Sequence, residues 1–451
     1  MSIDLPPGAR SHFDGIADRL VNSIQLMPAA YSSRADAFAG VPYYVERLRA
    51  QDIKTFELIA IGDRLGNEHE VYFSIPTGWV GFGAEQYPAY RSLVDSLASR
   101  TELRNVISLR WLMRTTIAWL KGRHICSIPA GHSYTRFLTD EATAAIHACE
   151  VAVPLRGLRI AETIDVAGAS FRPFTSDFFD KLANAAPVEI GLERDRALAW
   201  VEKMRREHQG HVYGFVECEC EVTKAEELAV EAVEVALIAL RLFSWAAISP
   251  EAACYIGLHG RTLIPGRSAF VTSDGASYYA DRQDDPRDTI FEIRPGDIGV
   301  YGREGLWDVG ALLAKRGRTQ YEDTCYSALR MLDKSIVSPR IDDKLVFALA
   351  AAEVLLLRDT HEPIQGLLSL RLAYLCSERS EVRRAVVDHL KRGYTMRSQY
   401  LHHGASKHEL EVVRELLNEI RVALIQAVRL RTRFKAKVEL LDALEEKMLA
   451  G

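Results

Sequence analysis

The sequence predicts a multidomain α+β protein, in which a mixed α/β amino-terminal region precedes an all-α helical bundle. Three observations carry this. The length of 451 residues exceeds what one hydrophobic core usually organises, so two or three domains are expected. Up to about residue 302, short runs of strand formers alternate with helical stretches and turn signals. From about Gln320 onward, segment after segment repeats its apolar residues at helical spacing, with only short polar breaks between.

Residues 1–155 form the first α+β region, with strands in FELIAIGD and EVYFSIP and a helix in RNVISLRWLMRTTIAWL. Residues 156–319 form a second α+β region. In its VECECEVT stretch, alternation puts Val216, Cys218, Cys220 and Val222 on one strand face and Glu217, Glu219 and Glu221 on the other. Free cysteine packs as a small hydrophobe, so Cys218 and Cys220 read as core residues rather than metal ligands. A central helix is expected over 224–247, with Thr223 as its N-cap and Glu226 at the third helical position. A β-rich stretch, 252–302, follows, punctuated by the turn signals SDG and RPGD. Residues 320–451 supply the bundle, with breaks at SPRIDD, DTHEP, RSE and HHGAS, and the domain boundary is placed near 315–320.

Composition narrows the function. The net charge of −5 gives no whole-chain argument for nucleic acid, so any basic surface must be local. No run of about 18 apolar residues predicts a membrane span, and the first residues lack the pattern of a signal peptide. Seven scattered cysteines without a CxxC pair fit reduced thiols, and hence a cytoplasmic protein. No GxxxxGK[ST], HExxH or GxSxG occurs, and PAGHSYTRF (129–137) reads as a structural loop with one histidine. No cofactor or metal is expected.

The stretch YTMRSQYLHHG (394–404) concentrates an arginine, two histidines and two tyrosines ahead of a glycine. Arginine and histidine five apart also occur at Arg206–His211 and Arg384–His389, so the spacing alone decides nothing. Arg206–His211 straddles a helix end with nothing else site-like beside it. Within a continuous helix, five residues turn the side chains ~140° apart, which disqualifies Arg384–His389. At Arg397–His402 the helix stops at Gly404, a ready C′ residue, so a loosened last turn would let His402 swing back toward Arg397. The alternative is a solvated helix end, where histidine complements the helix dipole.

Three stretches, VFALAAAEVLLL with Glu353, GLLSLRLAYLCS with Arg371, and LKRGYTMRSQYLHHG with Tyr394, Arg397, Ser398 and His402, resemble the HEPN superfamily, and within it the Apea-like branch. The likeness covers about 100 residues in order and spacing and does not extend over the first 300. It implies a HEPN helical bundle, a metal-independent endoribonuclease, and a homodimer or larger even-numbered assembly that joins two motifs. It implies Arg397 and His402 as catalytic residues, with His403 as the fallback for the histidine. Tyr394, Ser398, Glu353 and Arg371 are possible supporting residues. Glu353 and Arg371 could equally form a buried ion pair that orders the bundle. The family context further implies antiphage defence by abortive infection, host RNA such as tRNA as target, and an amino-terminal sensor or regulator with an unknown trigger. The superfamily also includes inactive members, so a non-catalytic RNA-binding or dimerisation module is the alternative.

RLRTRFKAK, residues 429–437, adds five basic residues and no acidic one: Arg429, Arg431, Arg433, Lys435 and Lys437. As one helix face it would attract an RNA backbone, although a charge run is as often a solvated face.

Overall fold

The computed structural model describes residues 3–28, 58–63, 65, 67–184, 192–261, 266–273, 276–283, 290–358, 362, 364–404 and 409–450. They form two compact units. One comprises Met1–Glu150 with Glu217–Leu228, the other Val151–Val216 with Ala229–Gly451.

The first unit begins with α1 (Pro7–Asn22), whose proline suits a first helical turn, where the N–H it lacks would have had no intrahelical acceptor. Strands β1 (Gln25–Leu26), β2 (Leu58–Gly62), β3 (Glu68–Ile75) and β4 (Gly78–Phe82) make an antiparallel sheet of order β1-β4-β3-β2. Cross-strand pairs Val71↔Phe82 and Phe73↔Val80 are all buried and fix its register. Helices α2 (Tyr87–Ala98), α3 (Leu109–His124) and α4 (Tyr134–Ala145) belong to the same unit. The hydroxyls of Ser108 and Ser133 cap α3 and α4 by accepting the N–H three residues on. PAGHSYTRF is therefore the start of a helix from Tyr134, not wholly a loop.

The chain continues through β5 (His147–Arg156), β6 (Leu158–Ile160), β7 (Ile164–Val166), β8 (Ala169–Pro173), α5 (Ser176–Asn184), α6 (Leu192–His208) and β9 (Val212–Cys220). Next come α7 (Val222–Leu242), β10 (Gly257–Leu258), β11 (Gly266–Ser273), β12 (Ala276–Gln283), β13 (Phe291–Ile293), α8 (Asp297–Glu304) and α9 (Leu306–Ala314). One sheet has order β10-β5-β9-β8-β7, β11 and β12 form a hairpin, and β13 pairs in parallel with β6. Among its described residues the expected β-rich stretch 252–302 thus holds four strands, but its last residues open α8. Part of its SDG turn lies outside the described residues.

The alternation read in VECECEVT holds as far as Cys220: Glu217 and Glu219 are exposed, Cys220 is buried and Cys218 half-buried, both as free thiols, whereas Val222, expected on the buried face, is exposed where the next helix begins. Glu221 also departs from the alternation. Its buried carboxylate accepts the N–H groups of Thr223 and Lys224 at 2.8 and 3.1 Å. Burial works against this carboxylate's charge, yet those donors hold its pKa below the usual range. So α7 starts at Val222 with Glu221 supplying the cap expected of Thr223. It stops at Leu242, short of the expected 247, and Trp245–Ala247 is a 3-10 turn. The Ser244 hydroxyl, bonded to the Arg241 carbonyl at 2.7 Å, closes that helix end.

The carboxy-terminal helices are α10 (Gln320–Val337), α11 (Ile341–Leu356), α12 (Ile364–Cys376), α13 (Ser380–His403), α14 (Leu410–Arg429) and α15 (Lys437–Leu449). A complete capping box, Thr319 with Glu322, starts α10 where the helical texture begins in the sequence. The expected boundary near 315–320 is a helix start and not a division between compact units. Buried Leu329, Leu349, Leu416 and Leu424 of the bundle belong to the same apolar core as Phe171, Leu237 and Val309. Lys344 is buried inside it, and its Nζ donates to the carbonyls of Ala246 at 3.1 Å and Ile336 at 3.4 Å. Burial lowers its pKa to about 8.

Candidate functional site

Helix α13 runs unbroken from Ser380 through His403, and Gly404 ends it in the left-handed conformation, φ +63°. Halfway along, Gly393 lies against α14, where a β-carbon would collide with Leu416. The next residue, Tyr394, and Arg397 almost one turn further on face α11. Tyr394 donates its hydroxyl to Glu353 Oε1 at 2.6 Å, and Arg397 Nη1 donates to the same oxygen at 2.5 Å. Tyr400 reaches Asp343 at 3.5 Å, so α13 and α11 run antiparallel. The last residues of α13 therefore pass the start of α11, and Leu401, His402 and His403 are exposed.

One carboxylate thus organises a phenol and a guanidinium. Burial, and then the bond to Glu353, raise the Tyr394 pKa, so the phenol stays a proton donor to the carboxylate. The Arg397 guanidinium also lies 5.7 Å from the Tyr394 ring centre, and its Nε is buried without a partner among the described residues. Only part of its donor fork is engaged, and the rest of the group, about a quarter exposed, is oriented.

The expectation that His402 swings back toward Arg397 is not met. Because the helix holds to His403, the two side chains leave the axis ~140° apart. His402 and His403 are in edge contact, ring centres 6.5 Å apart. Ser398 is exposed beside them. Of the other spacings, His389 meets Glu419 at 2.8 Å on α14 while Arg384 is exposed, so that pair diverges as well.

Glu353 and Arg371 do not pair with each other. Glu353 holds Tyr394 and Arg397. Arg371, fully buried, donates to the Leu356 carbonyl at 2.7 Å, to both oxygens of Glu362 at 2.8 and 2.9 Å, and to Glu445 at 2.7 Å. Arg358 joins this cluster through Glu445 at 3.1 Å and Asp442 at 2.5 Å. Glu362 and Glu445 were not singled out in the sequence. Glu362 sits in the DTHEP break, where a lone acid resembles a cap residue, and Glu445 lies 74 residues beyond Arg371.

The bond from Arg371, against some burial, holds the Glu362 pKa down to about 2, from an ordinary 4.5. A carboxyl with a lowered folded pKa stabilises the fold above its unfolded value and loses that contribution as pH falls toward the folded one. Melting temperature should therefore drop between about pH 4.5 and about pH 2. It should drop less steeply in Glu362→Gln, which cannot titrate. Parallel curves for the two proteins would refute this.

The stretch 429–437 is not one basic helix face. Arg429 ends α14, residues 430–432 make a 3-10 turn, and Lys437 begins α15. Arg429 and Arg431 lie 3.5 and 3.0 Å from Asp308, and Arg429 also donates to the Arg303 carbonyl. Lys437 is half-buried, with its pKa lowered by that burial. Arg433 and Lys435 are exposed, which leaves two of the five for a phosphate backbone. Among the described residues, no set of three or more His, Cys, Asp or Glu is placed to hold a metal, and no helix is long and apolar enough to cross a membrane. No family model, curated protein or solved structure matches the chain.

Proposed function

We propose that the protein is a metal-independent endoribonuclease in which Arg397 and His402 are the catalytic residues. The observation that carries this reading is the Glu353–Tyr394–Arg397 arrangement: a guanidinium held by a carboxylate and still short of partners, on the helix that ends in an exposed histidine pair. The reaction that suits these groups is transesterification. The ribose 2′-oxygen attacks phosphorus, the bond from phosphorus to the 5′-oxygen breaks, and the products carry a 2′,3′-cyclic phosphate and a 5′-hydroxyl. One histidine takes the 2′-OH proton and a protonated histidine gives one to the departing 5′-oxygen. Arginine stays charged and forks two donors onto the phosphate oxygens as negative charge builds there.

Since Arg397 and His402 diverge on their helix, one chain offers them to different sides. A second copy, related by a twofold axis, supplies the missing group, so the active form is a homodimer or a larger even-numbered assembly. In this reading the remainder of the chain senses a trigger or restrains the nuclease. Host RNA such as tRNA, cut as part of antiphage defence, is the context that the HEPN resemblance adds.

One observation favours a second reading. Glu353 neutralises the charge of Arg397, as it would in a non-catalytic HEPN module that only dimerises or binds RNA.

Mixing separates the two. In dimers co-refolded from wild-type and Arg397→Ala/His402→Ala protomers, cleavage should fall far below half of the wild type's, because the shared site needs a histidine from each copy, and light scattering should show an even-numbered assembly. An active monomer at micromolar concentration, or half of the wild-type cleavage in mixed dimers, would overturn the shared site.

A further inference from the structure

We propose that Arg156, His208, His211 and His259 form a binding site for a phosphate dianion of the phosphomonoester class. The four residues come together at one end of the β10-β5-β9-β8-β7 sheet. Arg156 ends β5, and β10 pairs with that strand in the register Gly257↔Arg156 and Leu258↔Leu155. His259 follows β10, its N–H bonded to the Pro154 carbonyl at 2.9 Å. His208 ends α6 and His211 precedes β9. Gly210, at φ +82°, makes the turn between them, closed by a 2.9 Å bond from the His211 N–H to the His208 carbonyl. The rings of His208 and His259 meet edge to face with centres 4.8 Å apart, and those of His208 and His211 are 6.4 Å apart.

The arginine sets the chemistry. Its Nη2 lies 3.0 Å from His259 Nε2. Arginine can only donate, so that imidazole nitrogen is the acceptor and His259 is neutral with its proton on Nδ1. Among the described residues Arg156 forms no ion pair with a carboxylate; its hydrogen bond goes to another potential cation. His208 is 6% exposed, set against Phe174, and its Nδ1 has no partner among the described residues. Burial first, and then the positive charges of the other members, lower the pKa values of His208 and His259. Glu207 acts the other way on both.

A cluster of four potential cations with so little counter-charge favours an anion. A dianion would accept from the guanidinium fork, relieve the repulsion, and let the imidazoles take up protons on binding. A metal is the poorer occupant, since Arg156 repels it and no three ligands are placed for one among the described residues. The Arg206–His211 spacing had suggested nothing here. Arg206 turns away, its Nε on the Glu202 carbonyl, and His211 finds its company in residues distant in sequence.

The test uses the full-length chain with its histidine Cε1–H signals followed by NMR, titrated with inorganic phosphate and separately with AMP. The expected result is a saturable shift of the three histidine signals, weaker by tenfold or more at about pH 8 than at about pH 6. Arg156→Met, at an exposed position, should weaken binding at least tenfold with an unchanged circular dichroism spectrum. Tighter binding of AMP would assign a nucleotide phosphomonoester, and equal binding free phosphate. No saturable shift in the wild type at millimolar ligand overturns the site without recourse to any variant. So does the same shift with chloride at matched ionic strength, or undiminished binding by Arg156→Met.

Discussion

His402→Ala should lower single-turnover cleavage of a labelled RNA by about 10²–10⁴, or ~3–5 kcal/mol of transition-state stabilisation, while His403→Ala cleaves nearly normally. Both histidines are exposed in the last turn of α13, so neither change removes core packing. Gly404 still closes the helix through its N–H on the Tyr400 carbonyl at 2.9 Å. Loss of a last-turn cation costs only ~0.3–1 kcal/mol of stability, which circular dichroism melting would register in either variant. A large rate loss confined to one histidine therefore reports chemistry. A dead His403→Ala beside an active His402→Ala would move the catalytic role to His403. Normal cleavage by both would make the pair a helix end.

Arg371→Ala should destabilise the fold by about 3–5 kcal/mol, the scale for removing one partner of a buried ion cluster. The guanidinium is fully buried and serves the Leu356 carbonyl, Glu362 and Glu445 together. Without it, the carbonyl at the end of α11 and the carboxylates beside it lose their donors. Arg371→Lys should recover only part of the loss, because an ammonium cannot reproduce the fork that meets both oxygens of Glu362. Urea denaturation measures both variants, and a midpoint for Arg371→Ala equal to the wild type's would contradict this role.

Much of the bundle could be read from the sequence because local signals and tertiary packing agree there. The helical repeat sets in at Gln320, where Thr319 and Glu322 cap α10, and RSE lies at the start of α13. Gly404 behaves as the C′ residue its position suggested. What failed did so where a distant partner decided. Glu221 displaced Thr223 as a cap because its carboxylate is buried beside Ser108. The basic stretch 429–437 lost its helical face because Asp308, more than 100 residues away, claims two of its arginines. That the bundle shares its core with earlier strands and helices could not be read either, since the periodicity of a helix marks an apolar face without saying which strand or helix will cover it.

The site was legible in part. Glu353 stands out as a lone acid in an apolar helix, and in the structure it accepts from Tyr394 and Arg397. The parallel suggestion for Arg371 gives way to the ordering of α11, α12 and α15. The convergence of Arg397 with His402 rested on a loosened helix end, and an intact last turn defeats it within one chain.

The most direct measurement is single-turnover cleavage of a labelled RNA in EDTA by the wild type beside Arg397→Ala/His402→Ala, both checked for fold and assembly. The wild type should give products ending in 2′,3′-cyclic phosphate and 5′-hydroxyl, unaffected by the chelator, and the double variant none. Equal cleavage by the two proteins, or wild-type activity that vanishes in EDTA and returns with a divalent ion, would contradict this mechanism.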